Sequence, residues 1–220
     1  MRKLVTALFV SLDGVIQAPG GPEEDPSGGF RYGGWLFPYA DDAMGKGTAE
    51  NQGRPFDLVL GRKTYDIWRA YWPNVHVDPA DSTAAGIAEI ANEFNRATKY
   101  VASRSKPELS WENSEWLGKD AAAALRELKR GDGPDLLTQG SADFAQTLLA
   151  ADLIDELRLL IVPVTLGAGK RLFGEGTRPA AFKLVRSVTT PSGVIIASYA
   201  RDGDVRTGSF DTSASGEPAR

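Results

Sequence analysis

A repeated order of short apolar segments, polar turns and helical stretches is the feature that most constrains the fold of this chain. Apolar segments of this kind occur at Lys3–Leu12, Phe56–Leu60, Thr98–Ser103 and Pro134–Thr138. Short apolar runs rich in β-branched residues indicate strands buried on both faces, and apolar residues three or four apart indicate helices. Alternating strands and helices predict an α/β fold with a mostly parallel sheet and helices on both faces.

The C-terminal part of the chain has a different pattern. Ala181–Thr189 and Val194–Arg201 alternate apolar and polar residues around the turn residues Pro191-Ser192-Gly193, which predicts an antiparallel hairpin. No stretch of linker composition divides the chain, so we expect one domain over residues 1–203. Residues 204–220 are rich in Ser, Thr, Gly, Asp and Pro, and this composition predicts a disordered tail.

Composition excludes several kinds of chemistry. The 220 residues include no cysteine and one histidine, His76, so thiolate nucleophiles, cysteine zinc sites and multi-histidine metal sites are excluded. We therefore predict no metal site, and any catalysis must use carboxylates, hydroxyls, cations or a bound organic cofactor. The net charge of −4 gives no basic surface for nucleic acid, and no apolar run is long enough to span a membrane. We expect a cytoplasmic protein.

Three strand-to-helix junctions carry residues that suit phosphate. They are Gly61-Arg62-Lys63-Thr64, Ser103-Arg104 and Gly140-Ser141-Ala142. Free N–H groups at a helix N-terminus bind anions, and arginine binds phosphate with two parallel hydrogen bonds. Each junction taken alone also has an explanation without a ligand. The first fits a solvated helix start with a capping threonine, the second a surface arginine, and the third a simple turn. Together they favour a ligand with several phosphates, although neither GxGxxG nor a P-loop is present.

These junctions and their neighbours resemble the dihydrofolate reductase-like superfamily. The resemblance lies in several segments of the chain. They are Val10-Ser11-Leu12-Asp13-Gly14-Val15-Ile16, Leu60-Gly61-Arg62-Lys63-Thr64-Tyr65, Val101-Ala102-Ser103-Arg104, Gly140 onward, Leu153-Ile154-Asp155-Glu156-Leu157 and Val162-Pro163-Val164-Thr165-Leu166-Gly167. They occur in the family's order between residues 4 and 200. The chain is most similar to the reductase domain of the bifunctional riboflavin-biosynthesis deaminase–reductase, and it lacks the His/Cys/Cys residues of the deaminase half.

The resemblance implies a single-domain, three-layer reductase that uses NADPH. Its substrate would be a flat heterocycle of the pteridine or pyrimidine class, or an open precursor. The family's activities include dihydrofolate reductase and 5-amino-6-(5-phosphoribosylamino)uracil reductase. Cofactor-binding roles carry over to Gly61, Arg62, Lys63, Thr64, Ser103, Arg104, Gly140, Ser141 and Ala142. Ser103 and Arg104 would lie beside the 2′-phosphate, and the loop Asp13–Gly34 would cover nicotinamide and substrate.

Candidate catalytic acids are Asp13, Asp41 and Asp42. The family has a carboxylate on the helix after the first loop, and Asp41 and Asp42 lie near that place, although acids at a helix start also serve the helix dipole. Ser141 replaces the second glycine of the family's Gly-Gly turn. Three alternatives therefore stay open: a reductase, a non-catalytic nucleotide-binding or regulatory protein, and a structural partner protein. A homodimer is possible, with the strand Leu157–Leu166 pairing between copies.

Overall fold

The computed structural model describes residues 1–52, 55–76 and 85–210. The strands are β1 (Leu4–Ser11), β2 (Phe56–Gly61), β3 (Lys99–Ala102), β4 (Ser114–Trp116), β5 (Asp135–Thr138), β6 (Glu156–Val162), β7 (Phe182–Thr189) and β8 (Ile195–Arg201). The α-helices are α1 (Asp42–Gln52), α2 (Arg62–Tyr71), α3 (Ala85–Arg96), α4 (Ala121–Arg130) and α5 (Ala142–Ala150). Short 3-10 helices occur at Ser27–Gly29, Phe37–Tyr39 and Trp72–Asn74.

The strands form one sheet in the order β4-β3-β2-β5-β1-β6-β8-β7. The pairs from β4 to β6 are parallel, whereas β8 pairs antiparallel with both β6 and β7. The structure therefore confirms the predicted mostly parallel sheet and the antiparallel C-terminal hairpin.

Alternate residues of β1 point to two different cores, because successive side chains of a strand face opposite sides. Leu4 and Leu8 belong to a cluster with residues of α4 and α5. Val5 and Ala7 belong to a cluster with residues of α2 and α3. The molecule thus has three layers, with helices on both faces of the sheet, and α1 packs Met44 beside β6 and β8.

Parallel pairing brings the carboxyl ends of β3, β2, β5 and β1 to one edge of the sheet. Helix α2 begins directly after β2, and α5 begins four residues after the end of β5. Because β2 and β5 are neighbours, the N-termini of α2 and α5 lie side by side at this edge. In α/β sheets this edge is where ligands bind.

Strand β6 differs from the prediction in its length and in whether its edges are free to pair with another chain. It ends at Val162, before Pro163, which has no N–H to donate to a strand partner. Both of its edges are paired, one with β1 and the other with β8, so β6 cannot pair edge to edge with a second copy. The expected pairing of Leu157–Leu166 across a dimer is therefore wrong for this strand.

Some sequence expectations concern residues that the model describes only in part. Residues 204–210 are exposed and form no strand or helix, and the rest of the expected tail, 211–220, lies outside the described residues. The helix start expected near Thr83 also lies outside them, and α3 is described from Ala85. None of the helices in the described ranges is long and apolar enough to cross a membrane.

Candidate active site

A cleft of about 1210 Å³, including its open mouth, lies over the carboxyl-terminal half of β1. One wall is apolar and comes from α2, α3 and the short helix between them. The opposite wall is the first loop, residues 13–34, and the remaining boundary is the turn before α5. The lining residues are Ala7, Leu8, Phe9, residues 16–20, Glu24, Asp25, Thr48, Lys63, Thr64, Ile67, Trp68, Trp72, Ile90, Phe94 and residues 139–142.

The N-termini of α2 and α5 meet at the cleft. Their N-cap residues, Gly61 and Ser141, make no side-chain hydrogen bond to the helix, so the side chains leave the first N–H groups available. A Cβ added at Gly61 would collide with Ser141 Oγ. Gly140 has a φ of +133°, and a Cβ there would lie 3.0 Å from Thr64 Oγ1. Two of the three predicted junctions therefore form one cradle with the positive ends of two helices.

The side chains of the first junction do different things. Thr64 is buried and lines the cleft, and Lys63 is half-exposed and also lines it. Arg62 turns along α2 instead, where its Nε donates to Asp66 Oδ2 at 2.7 Å. This hydrogen bond raises the pKa of Arg62, which stays a cation. Arg62 is outside the cleft lining, although its helix terminus is inside it.

The third junction lies along the same edge of the sheet but outside the cleft. Ser103 and Arg104 follow β3, which pairs with the side of β2 away from β5. The Ser103 carbonyl accepts a hydrogen bond from Trp116 Nε1 at 3.1 Å. Arg104 is exposed and makes no ion pair with another described residue. A ligand would have to extend over β2 to reach it.

Asp25 is the best-connected carboxylate of the cleft. It pairs with Lys63 of α2 and, through Oδ2, with Lys170 Nζ at 3.1 Å, and it accepts from Ser27 Oγ at 2.5 Å. Burial alone would raise the pKa of Asp25, but the hydrogen bonds from Lys63, Ser27 and Lys170 hold it well below its ordinary value. Asp25 therefore stays ionised and ties the first loop to α2 and to the loop after β6.

Glu24, the preceding residue, has different surroundings. Its Oε2 accepts a hydrogen bond from the Gly20 N–H at 2.6 Å. Burial is the largest influence on it and, with the nearby charge of Asp25, raises the pKa of the Glu24 carboxyl. No lysine or arginine among the described residues makes an ion pair with it. Two adjacent carboxyls of one loop thus have opposite tendencies to bind a proton.

Gln17 fixes the part of the loop that carries both carboxyls. Its side chain is buried, and Nε2 donates to the carbonyls of Asp25 at 2.8 Å and Ser27 at 3.0 Å. Its Oε1 accepts from the Lys170 N–H at 2.9 Å. Gln17, Glu24 and Asp25 were not predicted from the sequence, because no periodic pattern marks them within a stretch rich in glycine and proline. The adjacent acids Glu23-Glu24-Asp25 were the one available signal.

The predicted catalytic aspartates are not among the residues that line the cleft. Asp13 accepts from Ser11 Oγ at 2.6 Å and from the N–H groups of Leu166 and Gly167 at 3.1 and 2.8 Å. Asp41 accepts from the Met44 N–H at 2.6 Å and the Ser192 N–H at 3.0 Å, and the bond from Met44 is the main cause of its lowered pKa. Asp42 is exposed in the first turn of α1. Asp13 joins two loops, and Asp41 joins α1 to the hairpin turn.

His76 and the metal-ligating residue types add nothing to the cleft. His76 is exposed beyond the short helix after α2, and its Nδ1 lies 2.7 Å from the Asn74 carbonyl. Within the described ranges, no group of three or more His, Asp or Glu side chains could hold a metal ion. The polar chemistry of the cleft therefore belongs to Lys63 and to the hydroxyls, amides and two carboxyls that line it.

The order of the junctions matches a known family. Residues 2–196 match the model of the RibD C-terminal domain. The chain belongs to this family. Two relatives from Bacillus subtilis (strain 168) are YyaP, 30% identical over 203 residues that cover 92% of this chain and 96% of that one, and YwjB, 26% identical over 183 residues that cover 83% and 89%. Both are described as uncharacterized proteins.

Solved structures confirm the dihydrofolate reductase-like fold of this RibD C-terminal domain. A protein from Shewanella sp. PV-4 named for riboflavin biosynthesis has a TM-score of 0.56 at 21% identity and covers 92% of this chain and 99% of its own. A pyrimidine reductase-like protein of Corynebacterium diphtheriae has a TM-score of 0.54 at 15% identity, with 92% and 93% covered. Dihydrofolate reductase from Enterococcus faecalis, complexed with NADP(H), has a TM-score of 0.54 at 14% identity, with 91% and 96% covered.

Proposed function

We propose that this RibD C-terminal domain is an NADPH-dependent oxidoreductase. Its substrate would be a flat heterocycle of the pteridine or pyrimidine class, or the open precursor of one. The observation that carries the proposal is the pair of helix N-termini, of α2 and α5, that meet at the cleft without a side-chain cap. Family membership supports it, as does the NADP(H) complex of the dihydrofolate reductase that shares the fold.

The cradle between the helix termini fits the phosphates of a dinucleotide. Gly61 and Gly140 leave the backbone open where a side chain would collide. Two helix dipoles and their free N–H groups favour an anion, and Lys63 and Thr64 add a cation and a hydroxyl. The proposed cofactor residues are Gly61, Arg62, Lys63, Thr64, Gly140, Ser141 and Ala142 at the cradle, with Ser103 and Arg104 at the end of β3.

The remaining walls fit a hydride-transfer site. When bound, the reduced nicotinamide would supply the hydride, and the protein would position it and exclude water. The rings of Trp68 and Phe94 stack with centroids 4.8 Å apart and give the cleft an apolar wall that suits a flat ring. We propose that Asp13 positions the first loop. We propose no catalytic role for Asp41, which holds backbone N–H groups, or for the exposed Asp42, because neither lines the cleft.

A titration with NADPH tests the cofactor assignment. Because Trp68 and Trp72 line the cleft, we expect NADPH to quench tryptophan fluorescence at submillimolar concentration. Arg104→Gln should weaken NADPH binding more than NADH binding, since only NADPH carries the 2′-phosphate. Lys119→Gln, which alters an exposed cation before α4, is the matched control. A wild-type protein that binds no NADPH contradicts the proposal, and equal losses for both dinucleotides contradict the role of Arg104.

A second candidate is a nucleotide-binding protein without turnover. Ser141 in place of a glycine and the absence of Asp13, Asp41 and Asp42 from the cleft lining favour it. The two functions separate when bound NADPH is offered dihydrofolate and 5-amino-6-(5-phosphoribosylamino)uracil. Oxidation of NADPH by either compound supports the reductase, whereas binding without oxidation supports the regulatory protein. In both cases we propose a cytoplasmic protein with no nucleic-acid partner.

A further inference from the structure

The first loop brings two consecutive carboxyl groups to the cleft, and only one of them is neutralised by cations. Asp25 is bracketed by Lys63 from α2 and Lys170 from the loop after β6. Glu24 lines the same cleft, where the Gly20 N–H donates to its Oε2 at 2.6 Å and the backbone N–H of Gly21 also interacts with the carboxyl. No lysine or arginine among the described residues makes an ion pair with Glu24, so its carboxyl lacks the positive partners that Asp25 has.

The surroundings of the two groups separate their affinities for a proton. Desolvation raises the pKa of Glu24, and the Asp25 carboxylate beside it adds to this effect. The lysines and Ser27 lower the pKa of Asp25. The charged groups near Glu24 are Lys63 of α2 and Lys170 of the loop between β6 and β7, and both lysines pair with Asp25. Helix α1 places the uncharged side chain of Thr48 in the cleft lining. In active sites, two neighbouring groups whose pKa values are shifted in opposite directions take the roles of acid and base.

The aspartates predicted from the sequence, and His76, lie outside the cleft lining. Asp13 and Asp41 hold backbone N–H groups outside the cleft lining, and Asp42 is exposed to solvent. His76 lies beyond the short helix that follows α2 and is not a lining residue. Among the described acids, Glu24 is thus the carboxyl that lines the cleft and has a raised pKa.

We propose that Glu24 is the general acid of the reduction, a role that rests on the proposed reductase function. The substrate class is one with a C=N bond. The carbon takes the hydride, which forms a C–H bond, and the π electrons pass to nitrogen. Nitrogen takes the proton of the Glu24 carboxyl, so an N–H bond forms and the O–H bond breaks. Glu24 is left as a carboxylate and regains a proton from water through the open mouth of the cleft.

Glu24→Gln tests this role at nearly constant size, because its amide oxygen can still accept from the Gly20 N–H. We expect NADPH binding to stay within about twofold, since Glu24 is not part of the cradle, and the rate of reduction of dihydrofolate or 5-amino-6-(5-phosphoribosylamino)uracil to fall about 100-fold or more. Glu23→Gln, which changes the exposed neighbouring acid, is the matched control and should keep the wild-type rate. Glu24→Asp retains a carboxyl and should recover part of the rate if it folds and binds NADPH.

A measurement on the ligand-free protein is independent of turnover. Carbon NMR of protein labelled at glutamate carboxyls should show one group that titrates above the ordinary glutamate range. That resonance should be absent from Glu24→Gln and present in Glu23→Gln. Its absence from the wild type, or a Glu24→Gln protein with unchanged rate and pH profile, overturns the proton-donor role and leaves the reductase proposal standing. A wild type that binds no NADPH, or reduces neither compound, overturns the reductase proposal and this role with it.

Discussion

Lys99 is a buried lysine at the start of β3, and it closes the C-terminal end of α3. Its Nζ donates to the carbonyls of Phe94 at 3.0 Å and Asn95 at 2.8 Å and lies 4.6 Å from the centre of the Trp111 ring. A cation is favourable at a helix C-terminus, where carbonyl groups lack partners within the helix. Desolvation still dominates and lowers the pKa of Lys99 to about 8.

This lysine should make the free energy of unfolding depend on pH. Between about pH 8 and pH 10.5 the folded protein releases the Lys99 proton while the unfolded chain keeps it, so the contribution of Lys99 to stability rises with pH. Urea unfolding of the wild type and of Lys99→Met at several pH values measures the contribution. We expect the variant to lose this rise, and Lys119→Met, at an exposed lysine, to retain it. Identical pH dependence in wild type and Lys99→Met would show that Lys99 has no shifted pKa.

Individual residues were predictable from the sequence where a local motif defines them. Gly61, Thr64 and Gly140 lie at the ends of recognisable strands, so their shared edge followed from the parallel arrangement. Asp25 was not predictable in this way, because its contacts come from α2 and from a loop 145 residues away in sequence, and the burial of Glu24 likewise depends on how the first loop folds over the cleft. The contact of Asp41 was not predictable for the same reason, since its partner Ser192 belongs to the hairpin turn.

The contact between the N-termini of α2 and α5 is decided by two small residues. Gly61→Ala should push the helices apart, because the new Cβ collides with Ser141 Oγ and lies 3.1 Å from Phe144 Cβ. We expect a loss of about 1–3 kcal/mol in stability, typical of overpacking, together with weaker NADPH binding. Thermal unfolding and the fluorescence titration measure the two effects.

A second substitution distinguishes this contact from a general effect of alanine. Ser141→Gly removes the colliding hydroxyl, so the double variant Gly61→Ala/Ser141→Gly should recover part of the loss, with Phe144 limiting the recovery. Additive losses in the double variant would refute the packing of these two helix starts against each other.

At the level of elements, the apolar pattern predicted most strands and helices because their periods are local. The order of the strands was not local information. The sheet places β5 between β1 and β2, so pairing joins segments more than seventy residues apart, such as Phe56 with Asp135. The length of β6 was overestimated because an apolar run continues past Pro163, although the strand ends there.

Among the described residues, the β7 edge of the sheet carries exposed apolar side chains. Strand β7 pairs only with β8 among the described strands, and Leu184, Val185 and Val188 are 56%, 61% and 44% exposed. A free apolar edge strand is a site for pairing with another chain. This edge, rather than β6, is where we expect the two copies of a homodimer to meet.

Sedimentation of the wild type and of Val185→Lys tests this expectation. The lysine places a charge on the edge strand, so we expect a dimer for the wild type and a shift toward monomer for the variant. NADPH binding should be unchanged, because β7 is remote from the cleft lining. Lys183→Arg, which keeps the charge of a neighbouring residue, is the control. A monomeric wild type, or a variant that dimerises as the wild type does, would contradict pairing through β7.

The ion pair between Asp25 and Lys63 has a consequence for ligand selectivity. Lys63 lies next to the phosphate cradle, so an anion that binds there competes with a carboxylate already attached to the protein. Inorganic phosphate would compete with Asp25 for Lys63 and make few other contacts, whereas a dinucleotide would also contact the apolar wall of the cleft. If the cradle binds a dinucleotide as proposed, we expect Asp25 to lower the affinity for small anions more than the affinity for the dinucleotide. Asp25→Asn should increase the affinity for inorganic phosphate, measured by calorimetry, more than the affinity for NADPH.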